Sequence, residues 1–267
     1  MDRAEDEKLP LTSHLAELRS RLYRILIAVG LGFFACYYFK EGLFRIITRP
    51  LTEVLPKNSH MIFTGLPEAF FIYMKIAFFA SLVITSPYTL YQIWKFVSPG
   101  LYEREKKYVV PFVAVSSFLF IGGIVFGYFL VLPTAFEFFV AFSTDFLKPM
   151  ISFREYLSFT MKFLLAFGIS FELPVFIFFL TKIGIVNAPL LSRYRRYAIL
   201  MIFIAAAVLT PSPDAFSQIL MAIPLMFLYE ISIVVARYAG KKKDGDRRDG
   251  EGNGRNEKEE AGGADGD

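Results

Sequence analysis

The chain has 267 residues, 55% of them hydrophobic and 17% aromatic, and a mean hydropathy of +0.46, which excludes an ordinary soluble core and indicates a polytopic membrane protein. Its formal charge of +4 does not imply a nucleic-acid partner, because the basic residues flank apolar stretches or fall in the C-terminal tail, where membrane topology accounts for them. The single cysteine, Cys36, excludes an internal disulfide and a thiol-based metal site.

Residues 1–21 are a polar N-terminal segment. Leu15, Leu18 and Leu22 recur at three- to four-residue spacing, which predicts a short amphipathic helix on the membrane surface, capped by Thr12 or Ser13. Glu17 and Arg21 stand four apart and can brace that helix as a pair, while His14 reads as a surface histidine. The first span is 22–39, retained as an anchor because no small-x-small cleavage site follows it. In the connector 40–67, Leu43, Phe44, Ile46, Ile47 and Leu51 alternate with Arg45 and Arg49, which predicts an interfacial helix ending near Pro50. The second span, 69–97, is interrupted by Pro87, which predicts a bend, and ends in the interfacial aromatics Tyr91 and Trp94. Lys75, near its start, reads as a lysine that snorkels to the interface.

A basic loop with Glu103 and Glu105 leads to the third span, 108–132, where Gly123 and Gly127 predict close helix packing. After the connector 133–155, the fourth span, 156–180, holds the chief anomaly, Glu172. This carboxylate lies about 12 Å inside its end by helical rise. A charge there costs roughly 2.5 kcal/mol or more, so Glu172 is a functional candidate, set against a protonated or hydrogen-bonded glutamate that only packs helices. Gly168, one turn earlier, and Pro174, two residues later, predict a small gap and a freed carbonyl beside it.

A second basic loop, 182–196, leads to an apolar stretch, 197–209, worth only about 20 Å of helix. The polar turn Thr210-Pro-Ser-Pro-Asp214 then opens toward the last span, 219–236. A span this short predicts local bilayer thinning or a sunken, water-accessible corner. Residues 239–267 lack any large apolar side chain and are expected to be a disordered cytoplasmic tail. Lysine and arginine crowd the N-terminus, the second and fourth loops and the C-terminus, the first connector being the exception with Lys40, Arg45, Arg49 and Lys57. The fold class is therefore all-α, with a membrane domain of six transmembrane helices over 22–238 and both termini in the cytoplasm.

No nucleophile with its base, no facing aspartates, no HExxH or GxSxG motif and no P-loop occurs, and both histidines lie outside the spans. The sequence thus implies no enzyme, no cofactor and no metal, and leaves transport, recognition or scaffolding. Glu17 and Glu105 fall on the same face of the membrane. A carboxylate accepts an arginine fork bidentately, so these two can read two arginines, with a local ion pair as the alternative for each.

Four ordered motifs carry a resemblance: Ser13-His-Leu-Ala-Glu-Leu-Arg19; Tyr91-Gln-Ile-Trp-Lys-Phe96 leading to Pro99-Gly-Leu-Tyr-Glu-Arg-Glu105; Ala166-Phe-Gly-Ile-Ser-Phe-Glu-Leu-Pro174; and Ser217-Gln218 followed by Met221-Ala-Ile-Pro224. Together, over residues 11–237, they resemble the TatC family, the polytopic receptor of the twin-arginine protein translocase. The resemblance implies a glove-shaped six-helix bundle with short fifth and sixth helices, in the cytoplasmic (inner) membrane of a bacterium or archaeon. It implies binding of the twin-arginine signal peptides of folded precursors, with Glu17, Arg19, Phe96 and Glu105 at the arginine-reading site and Arg19 orienting the surface helix or Glu17. It places Glu172 in a membrane-embedded groove linked to partner contact and signal insertion. It places Thr210 and Gln218 where the single-span partners TatA or TatB dock, within a homo-oligomeric complex in membrane lipid driven by the proton gradient. The chain departs from the family at Thr210-Pro-Ser-Pro-Asp214, one residue longer than the usual Thr-Pro-Pro-Asp, which bears on the outer turn and on Asp214. The rival reading is a proton-coupled small-solute carrier using Glu172, for which two related halves and broken mid-membrane helices are expected. A passive scaffold would leave Glu17 and Glu105 replaceable.

Overall fold

The computed structural model describes residues 11–56, 61–63, 65–97, 109–143, 150–209 and 215–262, with backbone alone at 11, 12, 109 and 241–262. Two compact units form, Met1–Phe171 with Leu209–Pro213, and Glu172–Val208 with Asp214–Asp267.

In the first unit, α1 (Leu11–Tyr38) is one uninterrupted helix, so residues 11–21, the described part of the polar segment expected to lie apart on the membrane surface, run straight into the first span. No proline separates the two, and extending a helix adds a backbone bond per residue without a new nucleus. Next comes α2 (Lys40–Thr52), which runs past Pro50 where the sequence predicts its end. Pro50 has no N–H to offer the Ile46 carbonyl, yet Tyr128 Oη donates to that carbonyl at 2.6 Å and Tyr156 Oη donates to the neighbouring Ile47 carbonyl at 2.6 Å. Two tyrosines from distant helices thus support the helix around its proline.

The second span consists of α3 (Glu68–Ile84) and α4 (Ser86–Val97), bent by 55° as Pro87 predicts. Pro87 has no amide for the Val83 carbonyl, which accepts instead from a backbone N–H at the C-cap of α3 and from Ser86 Oγ at 2.7 Å. The third span is longer than expected. It comprises α5 (Val109–Phe126), a π turn (Gly127–Val131) and α6 (Leu132–Val140), so the connector expected from residue 133 begins after Val140. Pro133 lies in the first turn of α6, directly after the π turn. Two short strands, β1 (Met61–Ile62) and β2 (Ile151–Ser152), pair in parallel and tie the two connectors together.

Against α5 packs α7 (Phe153–Phe171), whose Phe159, Phe163 and Phe167 rings stack at one-turn intervals, 5.1 and 4.9 Å apart. The close approach predicted from Gly123 and Gly127 is present. A Cβ on Gly123 would stand 2.7 Å from the Phe167 carbonyl oxygen, and one on Gly127 would stand 3.3 Å from the Leu164 and Phe167 side chains.

In the second unit, α8 (Leu173–Ile183) ends at Gly184, whose φ of 87° lets the Ile185 amide reach back to the Leu180 carbonyl. The loop expected at 182–196 contains α9 (Ala188–Arg193), capped by Asn187, whose Oδ1 accepts from the Leu190 amide at 2.9 Å. It leads into α10 (Arg195–Leu209) and then α11 (Ala215–Gly262), which packs on α8 and α9. The backbone of α11 is helical through Gly262, past residue 239 from which composition predicts disorder.

Four stretches of the described residues are long and apolar enough to cross a bilayer: Ser13–Tyr38, Val110–Val140, Phe153–Ile183 and Ala215–Gly240. The bent α3–α4 pair makes a fifth. The sixth apolar helix, α10, has 15 residues, about 22 Å of rise.

The α5–α7 contact predicts that Gly123→Val lowers the melting midpoint of the detergent-solubilised protein, with overpacking costing about 1–3 kcal/mol. Gly122→Val, whose new Cβ meets nothing within 4 Å, should leave the midpoint close to wild type. Equal shifts for the two variants would contradict the packing described.

Candidate functional site

The first cluster lies where the N-terminal part of α1 meets the C-terminal end of α4. Positions 14, 17 and 21 share one face of α1, since three- and four-residue steps return to the same side of a helix. Arg21 Nε donates to Glu17 Oε1 at 3.0 Å, and Nη2 donates to the same oxygen. Its remaining nitrogen, Nη1, donates to Gln92 Oε1 on α4 at 3.3 Å. Arg21 is buried at 8% exposure, while the Glu17 side chain keeps 30%. An arginine this buried needs its charge and its donors matched, and one carboxylate and one amide do so.

With Oε1 occupied by Arg21, the other carboxylate oxygen of Glu17, Oε2, faces His14 Nδ1 at 3.9 Å. The His14 ring stacks on Phe96 with centroids 4.3 Å apart and planes 14° from parallel. Glu17 and Phe96, both expected at the site from the sequence, are therefore brought together through His14. Arg19 is directed elsewhere: its guanidinium lies 5.5 Å from the centre of the Tyr23 ring on its own helix, and the residue that holds Glu17 is Arg21. Glu105 lies outside the described residues. Sequence reasoning reached the Glu17–Arg21 spacing but missed Gln92 and the stacking of His14, because neither partner is close in the chain.

Glu172 is the residue at which α7 gives way to α8, and the Phe176 amide bonds its carbonyl at 2.9 Å. Pro174 in the first turn of α8 explains the break. Glu172 is half-buried, and its Oε1 has no solvent-accessible surface. The gap expected at Gly168 is already filled, since a Cβ there would stand 3.0 Å from the Phe120 ring and 3.1 Å from Ile124 of α5. The sequence reading also passed over Lys162, a second charge on α7, which is exposed.

In the second unit, Gln218 Nε2 on α11 donates to the Phe203 carbonyl of α10 at 3.0 Å and braces the two helices near their shared turn. Thr210 and Asp214 lie outside the described residues. At the opposite ends of the two helices Arg195 Nη2 donates to Glu230 Oε2 at 2.9 Å, both side chains about half exposed. From Ala215 to Glu230 the rise is about 22 Å, the same as the length of α10. The ion pair and the brace therefore mark the two ends of a short antiparallel pair. Among the described residues no cluster of three or more histidine, cysteine, aspartate or glutamate side chains could hold a metal ion.

Apolar spans broken at prolines, a carboxylate fixed at a helix end and a short antiparallel pair define an all-α integral membrane protein. The family model described as "Sec-independent protein translocase protein (TatC)" matches residues 13–224. The chain is 52% identical over 245 residues to the Sec-independent protein translocase protein TatC of Desulforapulum autotrophicum, covering 92% of this chain and 90% of that one. It is 40% identical over 240 residues to the protein of the same name from Escherichia coli, covering 90% and 93% of the two chains. A crystal structure of the twin-arginine translocase receptor TatC is similar in fold, with a TM-score of 0.77, 38% identity, and coverage of 85% of this chain and 99% of that one. The chain belongs to the TatC family and is a protein-transport component of the membrane, which displaces the small-solute carrier reading of Glu172.

The Glu17–Arg21 pair predicts non-additive stability. Glu17→Gln and Arg21→Gln should each lower the melting midpoint in detergent, Glu17→Gln more, because it leaves the deeper-buried Arg21 without its anion. The double variant should lose less than the sum, with a coupling of about 1–2 kcal/mol. Additive losses would mean that the pair is not formed.

Proposed function

We propose that the chain is the receptor subunit that recognises twin-arginine signal peptides on folded precursors at its cytoplasmic face. The observation that carries this reading is Glu17: one of its oxygens is held by two arginine N–H groups while the other faces the ring of His14. An incoming guanidinium meets a carboxylate that is already oriented, so little side-chain entropy remains to be lost. Because Arg21 cancels the charge of Glu17, a second carboxylate is needed for two arginines, and Glu105, eight residues beyond the end of α4, is the one the family resemblance assigns. Phe96 and His14 form an apolar ledge beside the carboxylate, and Arg19 braces α1 through Tyr23.

In this reading the apolar part of the signal enters the membrane beside Glu172, and Gln218, Thr210 and Asp214 form the contact for single-span partners of the TatA or TatB kind. Several copies assemble in the cytoplasmic membrane with both termini inside, residues 1–21 and 239–267 flanking the membrane domain, and the proton gradient drives transport. The charge distribution of the loops supports that orientation.

Membranes containing the protein should crosslink a signal peptide bearing Arg-Arg at least about tenfold more than its Lys-Lys twin, since lysine lacks the planar, pre-organised guanidinium donors. The Glu17→Ala, Glu105→Ala double variant should capture both peptides equally poorly. Equal capture of the two peptides by wild type, or full selectivity in the double variant, would overturn the receptor site.

A further inference from the structure

Within the first unit a groove of about 470 Å³ opens between α1 and α3. Its α1 wall is Leu26, Val29, Gly30 and Phe33. Its α3 wall is Phe71, Met74, Lys75 and Phe78. On each helix the spacing is i, i+3, i+4, i+7, so one face of each turns to the groove. Ser81 Oγ bonds the Val29 carbonyl at 2.6 Å, and Lys40 joins the rings of Tyr37 and Tyr73, so the two helices run antiparallel. The groove owes its depth to Gly30, where a Cβ would meet nothing within 4 Å. Seven of the eight lining residues are uncharged; the eighth, Lys75, is exposed.

The level of Lys75 in the membrane follows from its neighbours. Lys40 Nζ lies 4.7 Å from the Tyr37 ring centre and 5.5 Å from that of Tyr73, an aromatic and cationic cluster of the kind found at headgroup depth. Lys75 is two residues beyond Tyr73, about 3 Å further along the axis. Its four-carbon stem can carry the ammonium back to the phosphate layer, while Phe78 and Leu26 line the deeper end. An unmatched ammonium at this depth is costly, and a lipid phosphate is the anion the bilayer supplies there. An apolar helix laid here would leave the Lys75 ammonium without an anion, whereas a lipid puts one acyl chain in the slot and its phosphate on the charge.

We propose that the α1–α3 groove binds one anionic phospholipid, with its phosphate on Lys75 and one acyl chain laid across Gly30 toward Leu26 and Phe78. Lys40, close by, adds a second positive charge, which favours a net-negative headgroup over a zwitterionic one. The site is separate from the Glu17 cluster and does not depend on the receptor reading.

The test is native mass spectrometry of the full chain in detergent, titrated with phosphatidylglycerol or phosphatidylcholine, for wild type, Lys75→Gln and Gly30→Leu. Wild type should hold phosphatidylglycerol about fivefold better, the equivalent of roughly 1 kcal/mol for one lysine at the surface. Lys75→Gln should cut that preference to no more than about twofold, the part left to Lys40. Gly30→Leu, which fills the slot from an open position, should weaken both lipids by a similar factor while leaving the lipid-free melting midpoint unchanged. Equal binding of the two lipids by wild type, or wild-type lipid binding by either variant, would overturn the site and leave the groove to a partner helix.

Discussion

Hydrocarbon offers no hydrogen bonds, so each backbone carbonyl or charge that a helix break releases within the membrane must find a partner in the protein. Departures from straight helix in this chain are arranged around that constraint. Pro87 offers no amide to the Val83 carbonyl, which is taken up by a backbone N–H at the C-cap of α3 and by Ser86, the residue beside the proline. Pro50 releases the Ile46 carbonyl, and Tyr128, carried on the π turn of the third span, supplies the donor while Tyr156 steadies the carbonyl next to it. The bend that sets the direction of α4 and the course of α2 past its proline thereby become fixed features of the first unit.

The same constraint shapes the charged residues. Arg21 is buried where α1 meets α4, and it is matched by Glu17 along its own helix and by Gln92 across the interface. This match holds Glu17 in one orientation, which is the condition a carboxylate must meet to distinguish a guanidinium fork from an ammonium. At α10 and α11 the Arg195–Glu230 pair plays the corresponding part: it closes the end of a helix pair only about 22 Å long, while Gln218 ties the other end. Polar contacts at both ends of a short apolar layer are what a locally thin bilayer would require.

Which features could be read from the sequence follows from how far apart the partners are. The bend at Pro87 and the close packing at Gly123 are legible because each cause is local, whereas Pro174 predicts only a freed carbonyl within one span, not the break between α7 and α8. The Glu17–Arg21 pair was legible as an i, i+4 spacing. The continuation of α2 past Pro50 was not, since its support comes from Tyr128 and Tyr156, 82 and 109 residues from the carbonyls they bond. Gln92, 71 residues from Arg21, and Glu230, 35 from Arg195, were hidden for the same reason. Glu172 stood out as a carboxylate in an apolar run, whereas Lys162 in the same run drew no notice because lysine is assumed to snorkel. Arg19 is expected from the resemblance to orient the surface helix or Glu17; it lies against Tyr23 of its own helix, and Arg21 is the arginine bonded to Glu17.

The account rests on an oriented carboxylate reading an arginine. The most direct measurement is the affinity of a twin-arginine signal peptide for the purified protein, with each arginine replaced in turn by citrulline, which keeps the shape and removes the charge. The binding of wild type should weaken with either replacement, and in Glu17→Gln one of the two replacements should cease to matter, identifying the arginine that Glu17 reads. Citrulline peptides bound as tightly as the arginine peptide, or losses that Glu17→Gln leaves untouched, would contradict the account.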